Sequence, residues 1–447
     1  MQNASSAAFA MFIVRKAVCS RPKTASFRPI WIIVKAVAFV RMSVGPAQSR
    51  WWRRSNMGKR IGMEVAIAVA EAVGLCDIDM AAVYPITPQS HIAEHLSDLV
   101  ANGEIDAEFV TVESEHSAMS AVIGASGAGA RAFTATSSQG LMLMHELLPI
   151  ASAMRLPICM AIANRAVSGP LNILNDHTDI MPQRDSGWIS LFVENGQEAI
   201  DMSIMAFKIA EHKDVMLPVN VNIDGFQLTH MVEPFEMPSK EEVYRFLPPF
   251  VPHATLHPAK PVTMGAFAMS DYFTEIMKAK DEALKNSKKV IADVLDEWGK
   301  MFGRNYKLVE TYKSEDAEVI MLTMGSMGET AQMAIDDLRA KGVKAGLVKL
   351  RLWRPFPFVE IRAAVQHAKK LIVTDRAITF GGLGGPVFVE VKSALYSEKQ
   401  RPLIYGYIYG LGGRDVPVGD FIGMFEKVLA DTEHKAVDTY EFWGVRE

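Results

Sequence analysis

The sequence predicts an α/β protein with two mostly parallel-sheet domains, and three observations carry that expectation. Short apolar runs alternate with stretches of helical periodicity, the pattern of strands covered on both faces. Several runs end in compact polar clusters: Tyr84-Pro85-Ile86-Thr87-Pro88, Thr134 to Gly140, and Asn164-Arg165-Ala166. A proline-rich stretch at 246–261 (Pro248, Pro249, Pro252, Pro258, Pro261) then breaks the alternation, which resumes at Val319.

Taken in order, 61–76 reads as a helix with Ile61, Val65, Ala68, Val69 and Ala72 on one face. Ala81–Tyr84 reads as a buried strand stopped by Pro85, followed by a helix over 90–101 and a strand over 109–112. Residues 117–129 form a helix of small side chains. The spacing then predicts a strand at 132–136, a helix at 141–154, a strand at 158–162, a helix at 198–212 and a strand at 219–223. Asp271–Met301 is a charged helical connector. In the second unit strands are expected at 319–324, 345–350 and 371–375, with a helix at 329–341. The expected organisation is therefore a basic extension over 1–56, a first domain over 57–250, a linker and connector over 251–310, and a second domain over 311–440.

Hydrophobic residues make up 49% of the 447-residue chain and charged residues 22%, ordinary for a globular cytosolic protein. The net charge of −4 gives no basis for nucleic-acid binding. Residues 1–63 hold twelve Lys and Arg and no acid, so setting those twelve charges against −4 leaves −16 for the rest. Residues 1–56 are expected to lie outside the fold, as a disordered or non-native prefix before Met57; their composition also fits an organelle transit peptide. Cys19, Cys76 and Cys159 form no Cys-x-x-Cys pair, which argues against a disulfide framework or a closed iron–sulfur or zinc site in this chain. No apolar run reaches membrane-spanning length, and a cytoplasmic location is expected.

In an α/β sheet, ligands bind beyond the carboxyl ends of the strands. Several polar clusters at such ends imply one site assembled from loops. Tyr84–Pro88, Glu113-Ser-Glu-His-Ser117, Asn164-Arg-Ala166, Asn175-Asp-His-Thr-Asp179 and Arg184-Asp-Ser-Gly-Trp188 together resemble the α subunit of the heteromeric 2-oxoacid:acceptor oxidoreductases of the pyruvate:ferredoxin type. The resemblance runs from about Gly58 to the C-terminus and includes Trp353-Arg-Pro-Phe-Pro357 and Gly381-Gly-Leu-Gly-Gly385. It implies a thiamine-diphosphate pyrimidine-type domain followed by a transketolase C-terminal-like domain. It further implies CoA-acylating oxidative decarboxylation of a 2-oxoacid, with pyruvate expected, and electrons passed to ferredoxin. The diphosphate and its Mg2+ would sit on a β subunit, and iron–sulfur clusters on partner chains, including γ- and δ-type subunits or domains. The chain itself has no Gly-Asp-Gly followed downstream by Asn and no cluster-ligand cysteines, so partners are required. No metal is assigned to this chain.

Thiamine chemistry needs a carboxylic acid beside the aminopyrimidine ring, where protonation favours the imino tautomer that removes the thiazolium proton. Glu115 matches that acid; the alternative is an acid placed to suit the dipole at a helix N-terminus. Arg165 matches the residue that pairs with the 2-oxoacid carboxylate, for which a planar guanidinium is suited; the alternative is a surface ion pair with Asp176. Thr87 matches a substrate-binding hydroxyl, against a turn Thr bonded to its own backbone. Pro85 and Ile86 are assigned to the coenzyme contact with Glu115.

The Thr136–Gly140 loop reads equally as a site lining or a helix cap. Asn175–Asp179 has ligand-type residues but is read as an interface loop, and His116 as a structural histidine. Gly381–Gly385 lacks a following Lys-Ser/Thr, so a packing turn is preferred to a nucleotide loop, and Gly410–Gly413 reads likewise. Two other functions remain open: the pyrimidine-side subunit of a lipoamide-linked 2-oxoacid dehydrogenase, and a non-catalytic scaffold.

Overall fold

The computed structural model describes residues 60–435 and 437–446, so the extension at 1–56 and Cys19 lie outside the described residues. Strand β1 (Arg60–Glu64) runs directly into helix α1 (Val65–Leu75). The helix expected over 61–76 is therefore corrected at its start. Gly62 is a poor helix former, and the segment finds a strand partner instead. Next come β2 (Met80–Ala82), α2 (Ser90–Ala101) and β3 (Glu108–Val110). Helix α3 (Glu115–Gly127) starts two residues before its expected position because Ser114 caps it, accepting the Ser117 N–H at 3.2 Å. Glu115 is thereby placed as the first helical residue.

After the fully buried β4 (Ala132–Thr136), the single helix expected over 141–154 is divided. It becomes α4 (Ser138–Met144), a 3₁₀ turn at His145–Leu147 and α5 (Leu148–Ala153). Pro149 brings no N–H to continue the ladder, which accounts for the break. Then follow β5 (Cys159–Asn164), β6 (Ile189–Phe192), α6 (Gly196–Ala210), β7 (Val219–Asp224), β8 (Val232–Glu236), α7 (Lys240–Phe246) and the long α8 (Ser270–Phe302). The second half comprises β9 (Val309–Tyr312), β10 (Val319–Thr323), α9 (Met327–Ala340), β11 (Ala345–Leu350), β12 (Leu352–Arg354), α10 (Phe358–Val365) and β13 (Lys370–Asp375). It ends with α11 (Pro386–Leu395), β14 (Leu403–Ile408), α12 (Val418–Ala430) and β15 (Tyr440–Phe442).

The first sheet has the order β12-β6-β7-β5-β4-β2-β3, parallel throughout except that β12 runs antiparallel to β6. Because β12 belongs to the second half of the sequence, the two halves are joined through the sheet itself. The second sheet has the order β15-β14-β13-β10-β11-β9, with β9 antiparallel. β1 and β8 form a separate antiparallel ribbon in which Ile61 faces Phe235. In the first sheet β3 lies on one side of β2 and β4 on the other. That reversal makes the carboxyl ends of β2 and β4 the topological switch point, where sheets of this kind bind ligands. The second sheet has its own reversal between β10 and β13.

Trp353, fully buried on β12, anchors the shared edge strand. Its ring meets Phe356 edge-on at 5.5 Å, and the Arg354 guanidinium stacks 4.5 Å from its centroid. Trp353→Ala is expected to lower stability by about 3–5 kcal/mol, the range for truncating a buried aromatic. Urea unfolding followed by circular dichroism measures it, and a loss below about 1 kcal/mol would mean the ring does not anchor the strand.

Candidate active site

Four loops meet at the carboxyl ends of β2, β3, β4 and β5. After β2, Tyr84 to Pro88 makes a turn in which the Gln89 N–H donates to the Ile86 carbonyl at 2.7 Å and the Ile86 N–H to Gln89 Oε1 at 3.2 Å. Pro85 and Thr87 are exposed and Ile86 is half-buried. After β3, Glu115 is buried at the start of α3. After β4, Gly140 passes directly under the Glu115 side chain. A Cβ built on Gly140 would stand 2.6 Å from Glu115 Oε1 and 2.5 Å from Thr136 Oγ1, so no larger residue fits there.

After β5, Arg165 is buried rather than a surface residue, and it does not pair with Asp176. Its Nη1 donates to the Thr87 carbonyl at 2.8 Å, its Nη2 to Gln139 Oε1 at 3.1 Å, and its Nε to the Asn172 carbonyl at 3.1 Å. A guanidinium carries five N–H groups, of which these bonds use three. Burial lowers the pKa of Arg165. The structure thus links Thr87 to Arg165 directly. Arg165 is linked in turn to Glu115 through Gln139 and its neighbour Gly140.

Asp179, which sequence reasoning left within an interface loop, supports this arrangement. Its carboxylate accepts the N–H groups of Ser138 and Arg165, each at 3.0 Å, and Asn164 Nδ2 at 3.0 Å. Burial pushes its pKa up to about 7, even though those donors act in the opposite direction. Gln139 was also missed as an individual; its place in a polar run after a strand was the only signal. Asn175, Asp176, His177 and Asp179 are all buried within the chain. They pack on loops of the second half: Gly412 N–H donates to Asp176 Oδ2 at 3.0 Å and Gly413 N–H to the Asn175 carbonyl at 2.7 Å.

Other expected features have smaller roles. Glu113 accepts the Ser117 hydroxyl at 3.0 Å on the surface. His116 lies 3.8 Å from an exposed Glu146. Gly385 packs against Asp375, which accepts the Val387 and Phe388 N–H groups at the start of α11. That is a packing turn, as the sequence suggested.

The residues fit the pyrimidine side of a thiamine coenzyme. A buried carboxylate borders a position open only to glycine. Thr136 Oγ1, Gln139 Nε2 and Gln89 Nε2 are buried with no hydrogen-bond partner among the described residues.

Fold and site together define a thiamine-coenzyme subunit of the α/β type. Residues 71–296 match the family "Pyruvate flavodoxin/ferredoxin oxidoreductase, thiamine diP-bdg", and 317–421 match "Pyruvate:ferredoxin oxidoreductase core domain II". The chain belongs to this pyruvate:ferredoxin oxidoreductase family. Pyruvate synthase subunit PorA of Methanothermobacter thermautotrophicus is 50% identical over 349 residues, covering 78% of this chain and 90% of the relative. PorA of Thermotoga maritima is 45% identical over 390 residues, covering 87% and 99%. The ketoisovalerate oxidoreductase subunit VorA of Pyrococcus horikoshii is 44% identical over 378 residues, covering 83% and 93%. Among solved structures, a 2-oxoglutarate:ferredoxin oxidoreductase from Magnetococcus marinus superposes with a TM-score of 0.65 at 23% identity, covering 95% of this chain and 75% of that one. A split-gene transketolase gives 0.51 at 12% identity, covering 83% of this chain and 99% of that one. Both share the fold.

Asp179 gives a pH test. Its folded pKa lies above its ordinary 3.8, so its contribution to stability is complete below about pH 4 and is lost as pH rises through about 7. Relative to Asp179→Asn, the wild-type chain is expected to lose up to about 4 kcal/mol between those limits, at about 1.4 kcal/mol per pH unit. Urea titrations of both proteins across that range measure the difference, and parallel curves would refute it.

Proposed function

We propose that this chain is the α-type subunit of a 2-oxoacid:ferredoxin oxidoreductase that acts on pyruvate with coenzyme A. The observation that carries the reading is the convergence of Glu115, Arg165 and Thr87 on the switch-point crevice. Relatives named pyruvate synthase subunits at 44–50% identity support pyruvate as the substrate. When bound, thiamine diphosphate supplies a nucleophilic carbon. Glu115 holds a proton at the aminopyrimidine nitrogen, while Pro85 and Ile86 flank the coenzyme. The two spare N–H groups of Arg165 take the substrate carboxylate, and the Thr87 hydroxyl donates to its carbonyl. A β subunit completes the site with the diphosphate and Mg2+. Partner chains of γ and δ type carry iron–sulfur clusters and pass electrons to ferredoxin, in the cytoplasm. Among the described residues no helix is long and apolar enough to cross a membrane.

Co-purification of the native complex, followed by a screen of 2-oxoacids with coenzyme A and a viologen dye, tests the assignment. Pyruvate-dependent dye reduction is expected, and reduction dependent on lipoamide instead would overturn it. Glu115→Gln is expected to leave assembly intact while slowing hydrogen–deuterium exchange at the coenzyme's thiazolium carbon by at least about 100-fold, the scale of a lost acid–base group. Unchanged exchange removes Glu115 from the role. Arg165→Ala removes a charge-assisted contact of about 2–3 kcal/mol, so the KM for pyruvate should rise about 30- to 150-fold. A KM within about threefold of wild type, worth less than about 1 kcal/mol, would reject the carboxylate contact.

A further inference from the structure

Away from the coenzyme site, Glu64, His91 and His230 come together from three separate elements. Glu64 ends β1, His91 is the second residue of α2, and His230 lies two residues before β8. One ligand atom from each falls within 4.8 Å of the others. The backbone fixes two of the three. On either side of His230, the Met231 carbonyl accepts the Val65 N–H at 3.0 Å and the Thr229 carbonyl accepts the Ala66 N–H at 2.9 Å. Glu64 and His230 therefore sit on directly bonded segments. His91 Nδ1 lies 2.5 Å from Glu64 Oε1, and its ring stacks on that of His230 with centroids 4.7 Å apart.

We propose that Glu64, His91 and His230 bind a divalent transition-metal cation of the zinc class. Two imidazoles and a carboxylate are the ligand types that zinc takes, with a fourth position left to water. Donors around such an ion stand about 3.3 Å apart, given metal–ligand bonds of about 2.0–2.1 Å. The His91–Glu64 pair then opens by less than 1 Å, roughly the freedom of a side-chain torsion. The Thr229 hydroxyl oxygen accepts the Phe226 N–H at 2.8 Å and lies 2.9 Å from His230 Nδ1. When Nδ1–H donates to that oxygen, Nε2 is left with its lone pair for the metal, the arrangement by which a neighbouring acceptor sets the tautomer of a ligand histidine. His91, with its side chain 41% accessible, gives the cation a route in from solvent. A neighbouring pair provides a comparison: His95 and Glu71 are bonded at 2.8 Å but gather no third donor among the described residues, as in an ordinary ion pair. A cation at Glu64 would tie β1 and the turn before β8 to α2, whose first turn directly follows the Thr87–Pro88 segment.

The test uses the intact complex, treated with EDTA and then titrated with Zn2+, with metal content measured by plasma mass spectrometry. One more zinc per α chain is expected in the wild type than in His230→Gln or His91→Gln, while His95→Gln keeps the full content. X-ray absorption at the zinc edge of the wild-type complex should show two imidazole nitrogens and a carboxylate oxygen, a reading that does not depend on how well any variant folds. No uptake by the wild type, uptake that survives both substitutions, or an edge spectrum without imidazole scattering would overturn the proposal.

Discussion

Both sheets depend on one buried carboxylate, Asp224, at the carboxyl end of β7. Burial by itself would raise its pKa, but the Arg376 guanidinium and His177 hold it well below the usual carboxylate range. Arg376 Nη1 and His177 Nε2 each approach at 2.8 Å, and Ser326 adds its N–H at 3.0 Å and its hydroxyl. Ser326 follows β10 and Arg376 follows β13, so these donors come from the switch point of the second sheet. That crevice is where an α/β sheet ordinarily receives a ligand. Here it receives the acid of the first sheet. A buried ion pair adds little net stability, but losing one partner strands a charge at a cost of about 3–5 kcal/mol. The joint therefore specifies how the sheets fit more than it strengthens them.

From that joint the contacts run to the candidate active site. Arg376 Nη2 reaches the Asn175 carbonyl at 3.3 Å, and Asn172 Nδ2 donates to the Gly412 carbonyl at 3.0 Å. Asn172 in turn accepts Arg165 Nε. Through Asn172 the second half of the chain thus braces Arg165, the residue proposed for the substrate carboxylate. This accounts for the glycines at 410–413: Gly410, Gly412 and Gly413 all have positive φ, and a Cβ on Gly412 would collide with the Asn172 side chain. Only glycine meets both demands.

The parts of the fold legible in the sequence were those in which one local signal dominates. β4 and β11 were expected at their observed limits because each is a short apolar run buried on both faces. The helix over 90–101 was equally clear from its amphipathic spacing. β6 and β12 were missed. Ile-Ser-Leu-Phe and Leu-Trp-Arg are too brief to show a period, and β12 is a strand only because β6 from the other half lies beside it. Glu115, Arg165 and Thr87 could be singled out as candidates because each stands in a polar cluster at a strand end that resembles a family motif. Asp179 was not, because its role consists of distant backbone N–H groups that no spacing reveals. The Glu64–His91–His230 group was invisible for the same reason, since its members are joined only by the pairing of β1 with β8 and the packing of α2.

The loops of the candidate site leave an incomplete set of polar partners among the described residues. Thr136 Oγ1, Gln139 Nε2 and Gln89 Nε2 are each buried without a partner among the described residues, a situation that costs about 1–3 kcal/mol apiece. The apolar cores of the two sheets offset that cost in the free chain. A ligand that met these groups would remove it. The same reasoning explains why Arg165 is held by three neutral acceptors rather than by a carboxylate. An acid bonded to it would satisfy the guanidinium and weaken the hold on a substrate anion proposed for it. Carbonyl and amide oxygens fix its plane with no carboxylate bonded to the guanidinium. Asp176 is turned toward Gly412 and Asp179 toward backbone N–H groups, so neither is hydrogen-bonded to the Arg165 guanidinium.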